Sequence, residues 1–270
     1  SSVKDTGRIH GSVLTCGTHT GRASMRNPNL QQVPSTNSPY GDECRALFKV
    51  PEGKSLVGVD MSGIELRLLG HFTHKFDNGS YAKEVIDGDI HTHNQRVTGL
   101  ASRSVCKSFI YALVYGGGAN RLAQVASIGQ KEATEAKDKL LAGNPGLEKL
   151  IKAVQASVVE KGYITGLDKR HLPVRETYRA LNVVLQSAGA ITAKAWLVEF
   201  DNQIAKRGWR ERVQQVAWIH DEIQIEADTD LAEDVGKIAV DAIATAGEQF
   251  KLNVPLTGEY KIGNSWAETH

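Results

Sequence analysis

Two short apolar runs flank an acid in the stretch Gln215-Val-Ala-Trp-Ile-His-Asp-Glu-Ile-Gln-Ile-Glu226. The runs on either side of His220-Asp221 predict two strands joined by a tight turn. A third run, Ser55-Leu-Val-Gly-Val-Asp60, predicts a strand that also ends in an acid. Asp60 and Asp221 are far apart in the chain, yet neighbouring strands of one sheet could bring their carboxylates together.

Paired carboxylates of this kind are typical of a metal site. Side by side, two carboxylates repel each other, which raises a pKa unless cations lie between them. A pair of Mg²⁺ ions roughly 4 Å apart would satisfy both acids and could activate a hydroxyl group. Taken alone, an aspartate after a strand is more often a turn residue or a helix cap, so the metal interpretation depends on the rest of the chain.

The fold class follows from the order of the patterns. Residues 1–50 are rich in Gly, Ser, Thr, Asn and Pro and predict short strands and loops. Helical spacing of apolar residues follows Asp60 and recurs near 80–86, 102–115, 119–127, 131–142 and 146–161, with a long helix over 178–206 and an amphipathic helix near 231–246. Strands at both ends and helices between them predict an α+β domain interrupted by a helical insertion.

One helix face combines cations with aromatic rings. Arg103, Lys107, Tyr111 and Tyr115 are spaced four apart, so successive side chains turn only about 40° around the helix. Ser102 is a candidate N-cap and the glycines after Tyr115 are a stop signal. A triphosphate would fit the cationic end, which also lies near the helix N-terminus. The alternative is a solvated basic edge with both tyrosines in the core.

Other polar residues have two interpretations each. His91 could add a phosphate contact. Ser62-Gly-Ile-Glu65 is a capping-box pattern, but Glu65 could instead lie near the sugar of a nucleotide. Two further sets carry amide and guanidinium donors that suit the acceptors of the DNA minor groove, or else simple loop capping and helix-surface polarity: they are Arg22, Asn29 and Gln31, and Arg179, Asn182 and Gln186.

Composition limits the classes of protein. The 270 residues are 41% hydrophobic and 23% charged, as in an ordinary soluble domain. We expect no membrane partner, because no apolar run looks long enough to span a bilayer. The three cysteines have no zinc or disulfide spacing. The net charge of +1 gives no support to DNA binding, which would have to come from local clusters.

Taken in order, these motifs resemble family A DNA polymerases, the group that includes bacterial DNA polymerase I. The resemblance runs from about Gly7 to His270 and includes phrases similar to the branch carried by short-tailed phages. The matching segments are a primer-template loop (Thr20-Gly-Arg22 and Pro28-Asn29-Leu-Gln31), a first metal motif (Asp60-Met-Ser-Gly-Ile-Glu65), a nucleotide-binding helix (Arg103 to Gly116), a duplex-contacting helix (Asn182 and Gln186) and a second metal motif (His220-Asp221-Glu222).

The resemblance implies a role for each of these residues in adding deoxynucleotides (dNTPs) to a primer on a template. Asp60 and Asp221, with the Met61 carbonyl, would hold two Mg²⁺ ions, and Glu222 would lie near them as a further catalytic residue. Arg103, Lys107 and His91 would bind the triphosphate, with Lys107 also protonating the leaving pyrophosphate. Tyr111 would lie against the sugar and base, and Tyr115 with Glu65 would exclude a ribose 2′-hydroxyl. The residues implied to contact primer-template DNA are Arg22, Asn29, Gln31, Arg179, Asn182, Gln186 and His220.

The family also implies an organisation. A palm would cover 1–72 and 182–270, and a mainly helical fingers subdomain 73–181. Because no segment resembles a thumb or a proofreading exonuclease, either the chain is a fragment or the polymerase is split. We expect the second, in which another polypeptide supplies the thumb and a 3′-5′ exonuclease. The expected location is cytoplasmic, in the host cell if a phage encodes the chain. The alternatives are a single-subunit RNA polymerase and a non-catalytic DNA-binding assembly subunit that keeps the fold.

Overall fold

The computed structural model describes residues 3–270, so Ser1 and Ser2, where the predicted first palm segment begins, lie outside the described residues. The strands are β1 (Ser12–Leu14), β2 (Ser24–Arg26), β3 (Lys54–Met61), β4 (Tyr163–Thr165), β5 (His171–Pro173), β6 (Val213–Ile219), β7 (Glu222–Asp228) and β8 (Gly258–Gly263). The α-helices are α1 (Gly41–Ala46), α2 (Ile64–Asp77), α3 (Ser80–Ile86), α4 (Ile90–Thr98), α5 (Arg103–Val114), α6 (Ala119–Ala126), α7 (Gln130–Gly143), α8 (Pro145–Lys161), α9 (Ala180–Lys206) and α10 (Ala232–Gln249).

The chain divides into two compact units. One comprises 3–64, 189–251 and 255–270, and we call it the sheet unit; the other comprises 65–188 and 252–254, and we call it the helical unit. These divisions fall at other residues than the predicted limits of 72 and 181. Whether the units correspond to a palm and fingers stays a prediction.

The sheet unit is built on a four-stranded antiparallel sheet in the order β6-β7-β3-β8. The central strands carry fully buried aliphatic residues, among them Val57, Val59, Ile223 and Ile225. Because side chains alternate along a strand, these four share one face, and α10 packs against the same strands. The predicted α+β class is confirmed.

The opposite face of the sheet is polar but also buried. Glu222, Gln224 and Glu226 alternate with the isoleucines of β7, and all three are buried. The C-terminal segment covers this face: the Thr269 hydroxyl donates to Gln224 Oε1 at 2.7 Å, and a Cβ on Gly58 would lie 2.3 Å from the Thr269 carbonyl oxygen. The two central strands are therefore enclosed on both faces, and their polar side is held by specific partners, as burial requires.

The helical unit surrounds a core of Phe109, Leu122, Leu140 and Leu147, each at most 1% exposed. The predicted N-cap of α5 is confirmed, because the Ser102 hydroxyl accepts a hydrogen bond from Val105 N at 3.2 Å. Apolar packing on one side of α5 thus fixes which side of this helix remains accessible.

The helical segment from the 3₁₀ turn at 177 to the end of α9 bears on the expectation that no apolar run is long enough to span a bilayer. Among the described residues, Thr177–Lys206 is long and apolar enough to cross a membrane by length and composition, with a mean hydropathy of 1.2. The expectation that no run has this length is therefore wrong. However, 56% of its apolar window is buried inside the protein, as in the core helix of a globular domain.

Candidate active site

Asp60 and Asp221 lie at the same end of two paired strands. Asp60 pairs in register with Glu222, the residue after Asp221, and Met61 N donates a hydrogen bond to the Asp221 carbonyl at 3.1 Å. His220 adopts a left-handed backbone conformation (φ 58°), which turns the chain sharply from β6 into β7. The predicted tight turn is present, and the two acids lie at the same end of paired strands; their shared site stays a prediction.

Both acids have raised pKa values, for related reasons. Burial of the carboxyl group, together with the negative charges of Asp221, Glu222 and Glu259, raises the pKa of Asp60 to about 7. Asp60 as a residue is exposed at the end of its strand, although its carboxyl group is partly buried. Burial also raises the pKa of Asp221, and a backbone hydrogen bond and the charges of His220 and Arg22 partly offset this effect. The pair therefore favours the approach of a cation.

Glu222 differs from its neighbour Asp221. It is 4% exposed, and its Oε1 accepts hydrogen bonds from Trp266 Nε1 at 2.7 Å and Gln224 Nε2 at 2.6 Å. Its Oε2 faces His270 Nδ1 at 2.8 Å and the Arg45 guanidinium at 3.9 Å. These partners occupy the carboxylate and tie it to the C-terminal segment. A catalytic role for Glu222 stays a prediction.

The face of α5 predicted to bind a nucleotide is accessible, and we call Arg103, Lys107, Tyr111 and Tyr115 the α5 face. Arg103, Lys107 and Tyr115 are exposed and Tyr111 is half-buried. The Tyr111 and Tyr115 rings are 6.3 Å apart between centroids. The alternative in which both tyrosines belong to the core is thus wrong for Tyr115, which is 42% exposed.

Two predicted site residues meet beside the end of α5. The Tyr115 hydroxyl donates a short hydrogen bond to Glu65 Oε1, although fifty positions separate the two residues. Glu65 lies in the first turn of α2, where its carboxylate also suits the helix dipole. The structure therefore brings together the two side chains that were predicted to exclude a 2′-hydroxyl.

His91 lies on the other side of Tyr111, with the two ring centroids 6.4 Å apart. It is 7% exposed, and its Nδ1 is buried and has no hydrogen-bond partner in the described structure. Burial lowers the pKa of His91, and the charges of Arg103 and Lys107 lower it further. The lowered pKa favours the neutral form of His91, in which one ring nitrogen is a hydrogen-bond donor.

The predicted DNA-contacting residues of the sheet unit lie on loops near β6 and β7. Asn29 caps a 3₁₀ turn, because its Oδ1 accepts from Gln31 N at 3.1 Å, and Gln31 Nε2 approaches the Trp218 carbonyl at 3.5 Å. The capping interpretation of Asn29 is thus confirmed, and its contact with DNA stays a prediction. Arg22 is half-buried and His220 is exposed.

The second predicted set lies in the helical unit. Arg179 belongs to the 3₁₀ turn before α9, where its Nε lies 2.6 Å from Glu176 Oε2. Asn182 and Gln186 are half-buried on α9, while Leu181 and the three residues between the two amides are buried. The side chains of Asn182 and Gln186 lie on the same accessible side of α9. Arg179 lies in the turn before α9, so it is not part of that helix face.

Comparison with known proteins identifies the family. The family model described as DNA polymerase family A matches residues 1–268. The chain belongs to DNA polymerase family A. Two phage members, both named DNA-directed DNA polymerase, are similar over 99% of the chain: that of Enterobacteria phage T3 is 39% identical and that of Escherichia phage T7 is 38% identical. The predicted family and its likeness to the phage enzymes are confirmed.

Bacterial family A enzymes are more distant. DNA polymerase I of Pseudomonas aeruginosa is 30% identical over 98% of this chain, which covers 30% of that enzyme, and the chain spans 42% of each phage polymerase. Among solved structures, the POL domain of Pol1 from M. smegmatis, in complex with DNA primer-template and dNTP, matches with a TM-score of 0.89 and 25% identity. That match covers 99% of this chain and 49% of the other.

The donor set at Asp60 and Asp221 fits a magnesium site of the kind expected in family A. The described residues contain no group of three or more His, Cys, Asp and Glu side chains that could hold a metal ion. A cage of protein ligands is therefore absent from that part of the chain. Mg²⁺ characteristically binds through one or two carboxylates and completes its shell with water and substrate phosphates, which is what this pair of acids offers.

Several partners of the site residues could not be found from the sequence pattern. Trp266 and His270 reach Glu222 from more than forty positions away, and Asp89 pairs with Arg103. Lys194 donates from α9 to the Gly21 carbonyl at 2.7 Å, beside the predicted primer-template loop. Only Asp89 carried a local signal, since an aspartate just before a helix is a common N-cap.

Proposed function

We propose that this chain carries the catalytic core of a template-directed DNA polymerase, which adds dNTPs to the 3′ end of a primer. The main support for this proposal is that Asp60 and Asp221 lie at the same end of two paired strands, in a chain that belongs to family A. The names of the phage relatives and the ligands of the M. smegmatis POL domain support the choice of reaction.

Asp60 and Asp221, with the Met61 carbonyl, would hold two Mg²⁺ ions. The chemistry that such ions would supply is a lower pKa of the primer hydroxyl and stabilisation of the charge on the transferred phosphate. The contribution of the protein is to keep two carboxylates adjacent on rigid strands, so that little reorganisation is needed when the substrate arrives.

The α5 face would bind the nucleotide. Arg103 and Lys107 would hold the triphosphate by charge-assisted hydrogen bonds, His91 would add a neutral donor, and Lys107 would protonate the leaving pyrophosphate. Tyr111 would lie against the sugar and base. The accessible side of α5 and the buried opposite side support this assignment, because the helix can present these groups without disturbing its core.

The Glu65–Tyr115 pair would select the sugar. The hydrogen bond between them fixes both side chains, so a ribose 2′-hydroxyl entering the same space would meet a steric barrier. It would also disrupt a satisfied hydrogen bond, and unpaired polar groups make such discrimination strong.

The remaining assignments concern DNA and partners. Arg22, Asn29, Gln31 and His220 in the sheet unit, and Arg179, Asn182 and Gln186 in the helical unit, would contact primer-template DNA. The enzyme would work in the cytoplasm.

Asp221→Asn tests the proposed reaction directly. The substitution keeps the size of the side chain but removes a metal-binding charge, so we expect primer extension with Mg²⁺ to fall by at least about a hundredfold. Asp201→Asn is the matched control, since Asp201 is an exposed acid of the same unit that pairs with Arg210. Extension by the Asp221 variant at the rate of the control would refute the assignment.

A further inference from the structure

The exposed guanidinium of Arg103 is held by one carboxylate. Arg103 Nε lies 2.7 Å from Asp89 Oδ2, and Arg103 Nη2 lies 3.1 Å from Asp89 Oδ1. Two parallel hydrogen bonds of this kind define both the position and the plane of the guanidinium. The hydrogen bonds from Arg103 and Thr92 hold the pKa of Asp89 far below its usual range, so the pair is ionised at neutral pH.

Asp89 is itself fixed in place. It is the N-cap of α4, and its carboxylate accepts hydrogen bonds from His91 N at 3.1 Å, Thr92 N at 3.3 Å and Thr92 Oγ1 at 2.7 Å. The bonds that cap α4 therefore also orient the carboxylate that orients Arg103. This links the helix that carries His91 to the first residue of α5.

The Arg103 guanidinium still has N–H groups that are not bonded to Asp89. Arginine has five N–H groups, and Asp89 uses one at Nε and one at Nη2, which leaves three for another anion. We propose that Asp89 is a positioning residue, which holds Arg103 in the orientation that binds the triphosphate of the incoming nucleotide. This inference rests on the proposed function, in which Arg103 binds that triphosphate.

The negative charge of Asp89 acts in the opposite direction, since it repels a triphosphate. Asp89 and Arg103 are both exposed, with side chains 42% and 55% accessible, so water and salt screen this repulsion. An unrestrained arginine side chain, by contrast, must lose its rotamer freedom when it binds. The three N–H groups of Arg103 that Asp89 does not use need no rearrangement to bind a triphosphate. The gain in affinity from holding Arg103 in place therefore outweighs the loss from the negative charge of Asp89.

Asp89→Asn separates positioning from helix capping. Asparagine is as good an N-cap as aspartate, so α4 keeps its first turn, whereas the charge that holds Arg103 is lost. The experiment measures the dissociation constant of dTTP for the chain bound to primer-template, together with kcat and KM for extension. Four proteins are compared: the unaltered chain, Asp89→Asn, Arg103→Ala and the double variant. Asp168→Asn is the control, because Asp168 forms another Asp–Arg pair in the helical unit, with Arg170.

We expect Asp89→Asn to weaken dTTP binding and to raise KM by about threefold to fivefold, the scale of an exposed ion pair, with kcat nearly unchanged. In the Arg103→Ala background the same substitution should change neither quantity. Equal effects in both backgrounds, a fall in kcat alone, or unchanged or tighter binding would overturn the positioning role. If Arg103→Ala itself leaves dTTP affinity intact, the proposed triphosphate site fails, and the role of Asp89 fails with it.

Discussion

Two tryptophans of the sheet unit make nearly identical hydrogen bonds to different kinds of acceptor. Trp266 Nε1 donates to Glu222 Oε1 at 2.7 Å, and Trp196 Nε1 donates to the Ala239 carbonyl at 2.8 Å. Both rings are buried, at 3% and 0% exposure. Replacing each with phenylalanine removes the same atoms from a buried site, so the two variants form a matched pair.

The expected difference comes from the acceptor. A hydrogen bond to a charged group contributes about 1.5–3 kcal/mol, against about 1 kcal/mol for a neutral pair. Ala239 also lies inside α10, whose own hydrogen bonds keep its carbonyl satisfied when the indole is lost. The Arg45 guanidinium stands 4.5 Å above the Trp266 ring, and a phenylalanine would weaken that contact too. We therefore expect Trp266→Phe to cost about 1 kcal/mol more than Trp196→Phe.

Urea unfolding at pH 7 measures this difference, with the midpoint and slope fitted for both variants and the unaltered chain. The volume lost is the same in both variants, so packing contributes similarly to each. Equal losses, or a larger loss for Trp196→Phe, would refute the conclusion that Glu222 is held chiefly by buried donors. The polar face of the sheet would then need another explanation.

Four further substitutions test other parts of the structure. Gly58→Ala should lower the free energy of unfolding by about 1–3 kcal/mol, since its Cβ would meet the Thr269 carbonyl; an unchanged value in urea would contradict the close packing of the C-terminal segment. Asp228→Asn should destabilise the protein at pH 7, because hydrogen bonds from a lysine and an arginine lower the pKa of Asp228. This stabilisation is present above the ordinary carboxyl pKa of about 4 and is lost as the pH falls below it. The free energies of unfolding of the variant and the unaltered chain, measured by urea titration, should therefore converge at low pH. A difference that stays constant with pH would contradict the ion-pair explanation. Glu65→Ala should raise ribonucleotide incorporation about tenfold or more, with a smaller rise for Tyr115→Phe; unchanged sugar discrimination in single-nucleotide extension would return Glu65 to helix capping.

Much of the sheet unit could be predicted because its strands carry a visible pattern. The predicted strands at 55–60, 215–219 and 222–226 correspond to β3, β6 and β7, which the structure extends by one to two residues at several ends. The turn at His220-Asp221 is short, so it left few alternatives for how β6 and β7 pair. The helices near 80–86, 119–127 and 146–161 were also found within a residue or two.

Helix α4 was missed for a physical reason. Its buried positions are Ile90, His91, Asn94 and Thr98, so the face that packs inward is mostly polar and gives no apolar period. Asn94 is buried because Asn144 Nδ2 donates to its Oδ1 at 2.9 Å. A partner fifty positions away in the chain makes this burial possible, and no local pattern reveals it.

The start of α10 shows the same limit. Thr229 and Asp230 are residue types that commonly cap a helix, but both lie in a 3₁₀ turn, and no side chain caps the helix that follows. The Asp230 carboxylate instead accepts two hydrogen bonds from Arg212, at 2.6 and 2.7 Å. A capping residue is predictable only while no distant cation competes for its oxygens.

The acids of the candidate site show that a sequence motif can identify reactive residues without showing which of them is available to react. The family resemblance implied that Asp221 holds a metal and that Glu222 lies near it, but the run His220-Asp221-Glu222 has no local feature that distinguishes the two acids. The structure separates them: the pKa of Asp221 is raised by burial, whereas the Glu222 carboxylate is engaged by Trp266 and Gln224. A carboxylate that already accepts strong hydrogen bonds would lose them on binding a cation, which supports the proposed metal-binding role of Asp221 over one for Glu222. Residue type and spacing locate the reacting groups, and distant polar partners decide which of them remain available to react.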